Sequence, residues 1–402
     1  MSDSRTFAVV GAGLAGAKDV EALRADGFDG RLVLFGAEAY RPYERPPLSK
    51  GYLQGKAERD AAFVHPEGWY AEHDVDLRLG TEVAGLDRHA HELIAGHGDP
   101  VHYDKLLLTT GASPRRLRVP GAELAGVHYL RDLDDSDGLR AAFRPGAQVV
   151  VIGAGWIGLE TAAAARMAGT AVTVLESAPL PLLRVLGPQM AAVFADLHRE
   201  NGVDLRCEVS VAAIRPAQGD AAAVGSVELG DGTVLDADVV VVGVGVAPNV
   251  ELARSAGLEV DDGILVDAHL RTSDADMFAA GDVAHAEHPV LGRRIRVEHW
   301  ANALNQPAVA ARSMLGVEAV YDRLPYFFSD QYDLGMEYLG HASTDDEVVV
   351  HGDLEKREFV ALWQRDGHVV AGMNVNVWDV TDQIRELILS GKSADAFALP
   401  AG

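Results

Sequence analysis

The chain has 402 residues, a net charge of −25, 48% apolar residues and one cysteine, Cys207. That length predicts two or three domains, and the acidic balance argues against nucleic acid and anionic membrane surfaces, both of which select for basic patches. A single cysteine forms no internal disulfide, so the cytoplasm is the expected compartment; no apolar run is long enough to span a membrane, and Met1-Ser2-Asp3 leads into a strand pattern without an apolar or Arg-rich leader.

Phe7 to Val10 reads as a short buried strand, followed by Gly11-Ala12-Gly13-Leu14-Ala15-Gly16 and a helix to about Asp26. This is G-x-G-x-x-G. The first Gly allows a tight turn, the second lets backbone approach a pyrophosphate, and the third lets helix and strand pack closely. Leu32 to Phe35 reads as the next strand. Glu38 lies 22 positions beyond Gly16, with Ala37 beside it, near the ~20 positions expected for a carboxylate on a ribose hydroxyl.

The same pattern returns at Val149 to Glu176. Four β-branched residues, Val149 to Ile152, suit a strand covered on both faces. Gly153, Gly155 and Gly158 follow, enclosing Trp156 and Ile157, then an Ala-rich helix from Leu159 to Ala168 and a strand from Ala171 to Leu175. Glu176 lies 18 positions beyond Gly158. Its charge disfavours a 2′-phosphate, and no Arg or Lys follows at once, so this site should prefer NAD to NADP. Two such units in one chain call for two dinucleotides, or for one functional unit and one relic; an N-terminal copy followed by an internal one is the arrangement of flavin–nicotinamide reductases, with FAD on the first and NAD(P)H on the second.

Between them runs Arg41-Pro42-Tyr43-Glu44-Arg45-Pro46-Pro47-Leu48-Ser49-Lys50, where the prolines are expected to hold the chain extended before Leu48. RPYERPPLSKGYL resembles the signature of the NADH-dependent ferredoxin reductases that serve oxygenases, and the resemblance runs across nearly the whole chain. It implies an α/β fold of two Rossmann-type dinucleotide-binding domains, glutathione-reductase-like, plus a C-terminal α+β domain. The expected boundaries are 1–114 and 246–322 for FAD, 115–245 for NAD and 323–402 for the third domain.

The resemblance also implies roles. Lys50 would lie near the flavin N5 and pair with Glu160. Arg45, Val83 at the adenine, Thr110 and Gly111 in the strand running from Tyr103, and Arg131 would be FAD contacts. Leu270 to Asp282 matches the second FAD signature, with Gly281 turning the chain and Asp282 accepting from FAD hydroxyls. Glu298, His299 and Trp300 would lie against the flavin and begin a helix through Met314. Gly245, before Pro248-Asn249, would touch NAD. Phe327 to Tyr332 matches an aromatic element of the third domain.

Later elements follow local rules. A helix is expected over Met190 to Glu200, a strand over Val203 to Cys207, and a meander over 215–238. Strands are expected at Phe359 to Gln364 and Val369 to Val375, then a helix from Val380 to Leu389 stopped by Gly391.

Residues 40–50 contain no cysteine, whereas related disulfide and peroxide reductases carry their redox cysteine after the first Rossmann unit. Cys207 reads as a core or edge thiol, and no metal site is expected. The implied activity is NADH to FAD to a [2Fe–2S] ferredoxin of a cytochrome P450 or dioxygenase system, in a monomer or weak dimer. Arg293, Arg294 and Arg296 are the candidate basic patch for an acidic ferredoxin, while Glu337 stands where some relatives carry a basic partner contact. The alternatives are a rubredoxin reductase or nitrite-reductase-type donor, a diaphorase, or a non-catalytic NADH-sensing flavoprotein resembling apoptosis-inducing factor.

Overall fold

The computed structural model describes residues 3–96 and 98–399; Met1 and Ser2, where the N-terminal reading starts, lie outside the described residues. The chain forms two compact units. One comprises 1–44, 59–113 and 247–325, the other 45–58, 114–246 and 326–402.

In the first unit a parallel sheet runs in the order Met277–Ala279, Lys105–Leu108, Thr6–Val10, Arg31–Phe35, Val75–Arg78. Thr6–Val10 is central, and Phe7, Ala8 and Val9 are wholly buried, which is why that strand reads as an unbroken apolar run. Helix Leu14–Ala25 follows it and packs along helix Trp300–Met314. Two smaller sheets, Val83–Asp87 with Glu92–Ala95 and Val101–His102, and Gly263–Val266 with its neighbours, complete this unit.

The second unit repeats the scheme. Its parallel sheet runs Asp204–Arg206, Ala171–Leu175, Gln148–Ile152, Val239–Val242, Val127–His128. The expected meander is an antiparallel sheet of Val211–Ala217, Asp220–Leu229 and Val234–Asp236. A second antiparallel sheet follows in the order Tyr326–Gln331, Leu334–Gly340, His368–Val375, Glu358–Arg365, Glu347–Asp353. One apolar cluster includes Val149, Val151 and Phe194 together with Trp363 and Met373. Helix Thr381–Ser390 ends at Gly391, whose left-handed φ of 61° caps it as expected.

Two local expectations are corrected. Pro46–Ser49 is a 3₁₀ turn, not an extended segment. Both prolines stand in its first two positions, where their fixed φ suits a helix and no N–H is needed. The helix expected over Met190 to Glu200 is preceded by a short helical turn from Leu183; Gly187, φ 73° and ψ 173°, breaks the helical backbone between them, and Pro188 opens the longer helix two residues earlier than expected.

Candidate functional site

In the first unit the glycine loop has the geometry of a phosphate cradle. A Cβ on Gly11 would stand 2.1 Å from the Thr109 carbonyl oxygen, and one on Gly16 2.1 Å from the Gly11 carbonyl oxygen. Neither position has room for a side chain. Gly13 differs: a Cβ there would meet nothing within 4 Å, and no side chain caps the helix that starts at Leu14. Its first-turn N–H groups therefore lack an intrahelical partner, and the open space in front of Gly13 fits a dinucleotide pyrophosphate. Ala15 faces Gly281, with 3.2 Å between the Ala15 Cβ and a Cβ built on Gly281.

Other expected FAD residues in this unit gather around that loop. The Glu38 carboxylate accepts from the Tyr43 hydroxyl, while Ala37 beside it is exposed. Gly80 N–H donates to the Glu38 carbonyl at 2.8 Å, and Thr81 N–H to the Gly36 carbonyl at 2.7 Å, which brings the entry to Val83 against the turn from Gly36 to Glu38. Thr110 donates to the Asn249 carbonyl at 2.7 Å, and Asn249 N–H returns a bond to Gly111 at 2.9 Å. Gly281 N–H donates to Gln306 at 2.7 Å, and the half-buried Asp282 follows in the same turn. The Trp300 indole donates to Glu44 at 3.1 Å, and His299 is the N-cap residue of the helix that Trp300 begins.

The second unit repeats the cradle. A Cβ on Gly153 would lie 2.4 Å from the Gly243 carbonyl oxygen and one on Gly158 2.1 Å from the Gly153 carbonyl oxygen, whereas Gly155 again faces open space. Trp156 starts the helix, and its ring lies edge-on to Phe194 and Phe327. Ile157 is exposed. The Glu176 carboxylate accepts from Ala154 N–H and Ala178 N–H, each at 2.8 Å. The Ser177 hydroxyl donates to it as well, at 3.1 Å; a carboxylate has about four acceptor sites, so one remains for a ribose hydroxyl. Gly245 accepts from Arg115 N–H at 2.9 Å.

The same unit places Lys50 against Glu160. The ammonium lies 2.8 Å from Glu160 Oε2 and 5.3 Å from the Phe328 ring centre. Glu160 is only 3% exposed, yet it accepts from three side chains. Ser49 donates to Oε2 at 2.5 Å and Ser329 to Oε1 at 2.6 Å. Burial of an ion pair is tolerated when the remaining lone pairs are satisfied in this way. The Arg45 guanidinium donates to the Arg131 carbonyl, so these two expected FAD contacts are neighbours. The loop carrying Lys50 is anchored by Ser136 to the Leu48 carbonyl at 2.9 Å and by Tyr52 to Asp137 at 2.6 Å.

Sequence reasoning missed Ser49 and Ser329 as partners of Glu160, although both sit inside the motifs that carry the resemblance. It also missed Asp19, wholly buried on the helix after the first glycine loop, with neither carboxyl oxygen hydrogen-bonded. Burial alone pushes that carboxyl well above the usual carboxylate range. The signal was available: an acid four residues after Ala15 lies on the same buried helix face. Cys207 is half-buried, and burial raises its thiol, as befits a structural cysteine.

The expected basic patch is not a cluster of open cations. Arg294 pairs with Glu287 at 2.7 Å, and Arg296, 8% exposed, pairs with Asp262 at 3.1 Å and with Glu298. Glu337 is likewise committed internally, accepting from Tyr326 at 2.7 Å, Asn374 at 2.9 Å and Thr381 at 3.2 Å. No helix among the described residues is long and apolar enough to cross a membrane.

Comparison with known proteins agrees with this geometry. The profile of the pyridine nucleotide-disulphide oxidoreductase family matches residues 5–307, and that of the reductase C-terminal domain matches 326–400. The ferredoxin–NAD(+) reductase component of the anthranilate 1,2-dioxygenase system of Burkholderia cepacia is 43% identical over 393 residues, 97% of this chain and 95% of that protein. Putidaredoxin reductase of Pseudomonas putida is 37% identical, over 94% of this chain and 90% of that protein. The reductase in a covalent putidaredoxin reductase–putidaredoxin complex superposes with a TM-score of 0.94 at 35% identity, covering 97% of this chain and 94% of that one. The chain belongs to the pyridine nucleotide-disulphide oxidoreductase family, and is an oxidoreductase that uses FAD and NAD(H).

Proposed function

We propose that this chain is an NADH:ferredoxin reductase that supplies a [2Fe–2S] ferredoxin of a cytochrome P450 or ring-hydroxylating dioxygenase system. One observation carries the reading: Lys50 pairs with the buried Glu160, which also accepts from Ser49 and Ser329, where cysteine-dependent relatives would need a thiol, and residues 40–50 hold no cysteine. When bound, FAD accepts two electrons as hydride and releases them singly, the step that a one-electron acceptor requires.

The residues have separable tasks. Gly11, Gly13, Leu14, Ala15, Gly16, Ala37, Glu38, Val83, Thr110, Gly111, Gly281, Asp282, Glu298, His299 and Trp300, with Arg45 and Arg131, would hold FAD. Gly153, Gly155, Trp156, Ile157, Gly158, Glu176 and Gly245 would hold NADH, and Glu176 turns away a 2′-phosphate. Lys50 presents a fixed positive charge, and Glu160 holds it in place; no nucleophile or general acid is required of the protein, only position and charge. The domain boundaries 1–114 with 246–322, 115–245 and 323–402, and a monomer or weak dimer, belong to the same reading.

The test is NADH-driven reduction of cytochrome c by the purified flavoprotein, with and without a [2Fe–2S] ferredoxin. A large ferredoxin-dependent rate is expected. Fast reduction of ferricyanide beside a slow cytochrome c rate that ferredoxin leaves unchanged would overturn the partner and favour a diaphorase.

A further inference from the structure

The Ser329 hydroxyl that meets Glu160 is the end of a longer chain, all of it in the second unit. Gln331 Nε2 lies 3.1 Å from Ser329 Oγ. Gln331 Oε1 lies 2.8 Å from His198 Nε2, and His198 Nδ1 is 3.4 Å from the Tyr332 hydroxyl. Ser329, Gln331 and His198 are each 0% exposed. These groups come from two elements, strand Tyr326–Gln331 and helix Leu183–Glu200, and Tyr332 sits in the turn just beyond the strand.

The charge on Glu160 sets the direction of every link. Paired with an ammonium, the carboxylate only accepts, so Ser329 must donate to it. The Ser329 oxygen then accepts from the Gln331 amide N–H. That orients the Gln331 carbonyl towards His198, whose Nε2 must carry the proton. His198 Nδ1 is left as an acceptor, and only a donor, the Tyr332 hydroxyl, faces it. Burial lowers the imidazole to about 4, so the ring is neutral at physiological pH, as this arrangement needs. Chains of aligned hydrogen bonds polarise one another.

Tyr332 supplies a second observation. Its φ is 57°, a left-handed conformation that favours Gly or Asn and is unfavourable for a bulky side chain. Held there, its ring lies 5.3 Å from that of His198.

We propose that Tyr332, His198, Gln331 and Ser329 form a directional positioning chain for Glu160: it fixes Oε1 so that Oε2 stays turned to Lys50, and thereby governs the rate of hydride transfer from NADH. None of the four need touch a nicotinamide or a flavin; they act through the carboxylate. This inference rests on the role proposed above for Lys50 and Glu160.

The experiment compares Ser329→Ala, Ser329→Thr, His198→Phe and Lys50→Ala as holoenzymes of matched FAD content, measuring anaerobic flavin reduction by NADH across NADH concentrations. Ser329→Ala should lower the limiting rate about tenfold, the value of one hydrogen bond to a charged group, with half-saturation changed less than about twofold. Ser329→Thr, which keeps the hydroxyl, should recover most of that loss, and His198→Phe should cost about threefold. Independently of turnover, the ring-nitrogen NMR signals of His198 at pH 7 should be those of a neutral imidazole protonated at Nε2. Wild-type reduction by Ser329→Ala beside slow reduction by Lys50→Ala overturns the chain and leaves the Lys50–Glu160 reading standing. Wild-type reduction by Lys50→Ala overturns that reading itself. A charged His198, or one protonated at Nδ1, overturns the chain, and so does a threonine variant as slow as the alanine one. Where Ser329→Ala does not fold, His198→Phe and the imidazole signals decide.

Discussion

The two glycine loops are near copies, yet the helices they launch carry buried acids of opposite kind. After Gly16 comes Asp19, wholly buried and without a hydrogen-bond partner for either oxygen. After Gly158 comes Glu160, just as deeply placed, holding Lys50, Ser49 and Ser329. An unpaired carboxyl away from water protonates rather than stay charged, whereas a cation and two hydroxyls give a buried carboxylate the partners that offset its desolvation. The first is therefore a weakness in the fold; the second is the acid proposed to hold Lys50. Burial alone does not separate the two. Donors supplied from several parts of the chain do.

The comparison breaks most severely at Glu160. Glu160→Leu leaves the Lys50 ammonium and two hydroxyls without their acceptor and should destabilise the protein by about 3–5 kcal/mol, visible as a lower denaturation midpoint. A midpoint within experimental scatter of wild type would show that the pair carries no structural weight. Asp19→Ala should act in the opposite sense, raising stability by about 1–3 kcal/mol at pH 8, because it removes a buried group that has no partner.

The two units should also respond oppositely to pH. Asp19 binds its proton more tightly folded than unfolded, so its contribution weakens as pH rises above about 4. The gain from Asp19→Ala should therefore grow with pH. His198, at about 4 when folded and about 6.5 when unfolded, works the other way: the unfolded chain takes up the proton first, and stability is lost as pH falls from about 6.5 to about 4. That loss should reach about 3 kcal/mol, and His198→Phe should abolish its pH dependence, as denaturant titrations at pH 7 and pH 4.5 would show.

The smallest expected effect on folding separates glycines within a single loop. Gly155→Ala places its Cβ in open space and should leave the thermal midpoint unchanged while weakening NADH binding, read as a raised KM. Gly158→Ala drives its Cβ into the Gly153 carbonyl and should lower the midpoint itself. Equal midpoints for the two variants would mean that the third glycine is not needed for packing.

Much of this was legible in the chain. The strand cores at Phe7, Val149 and Ala171, both glycine loops, the acids Glu38 and Glu176 that follow the second strands and the glycine stop at 391 follow from local chemistry: apolar runs, left-handed backbone and counted spacing. Local rules failed at Pro46, where two prolines expected to hold the chain extended instead open a 3₁₀ turn that buries Leu48; at Gly187 the breaking signal held, and the helical backbone is interrupted there. The arginines at 293–296 read as free charge, yet Arg294 and Arg296 are paired with acids up to 34 positions away.

The sequence alone thus determined the two strand–glycine loop–helix units, because each is specified within some 30 consecutive residues, through backbone geometry. Only the tertiary structure decided which buried acid has partners. That depends on donors at positions 49, 50 and 329 meeting one carboxylate at 160, and on 198 and 331 aligning behind it. A hydrogen bond reaches about 3 Å, and its partners lie far apart along the chain, so beyond the Lys50–Glu160 pair that the family resemblance implied, no local pattern named them.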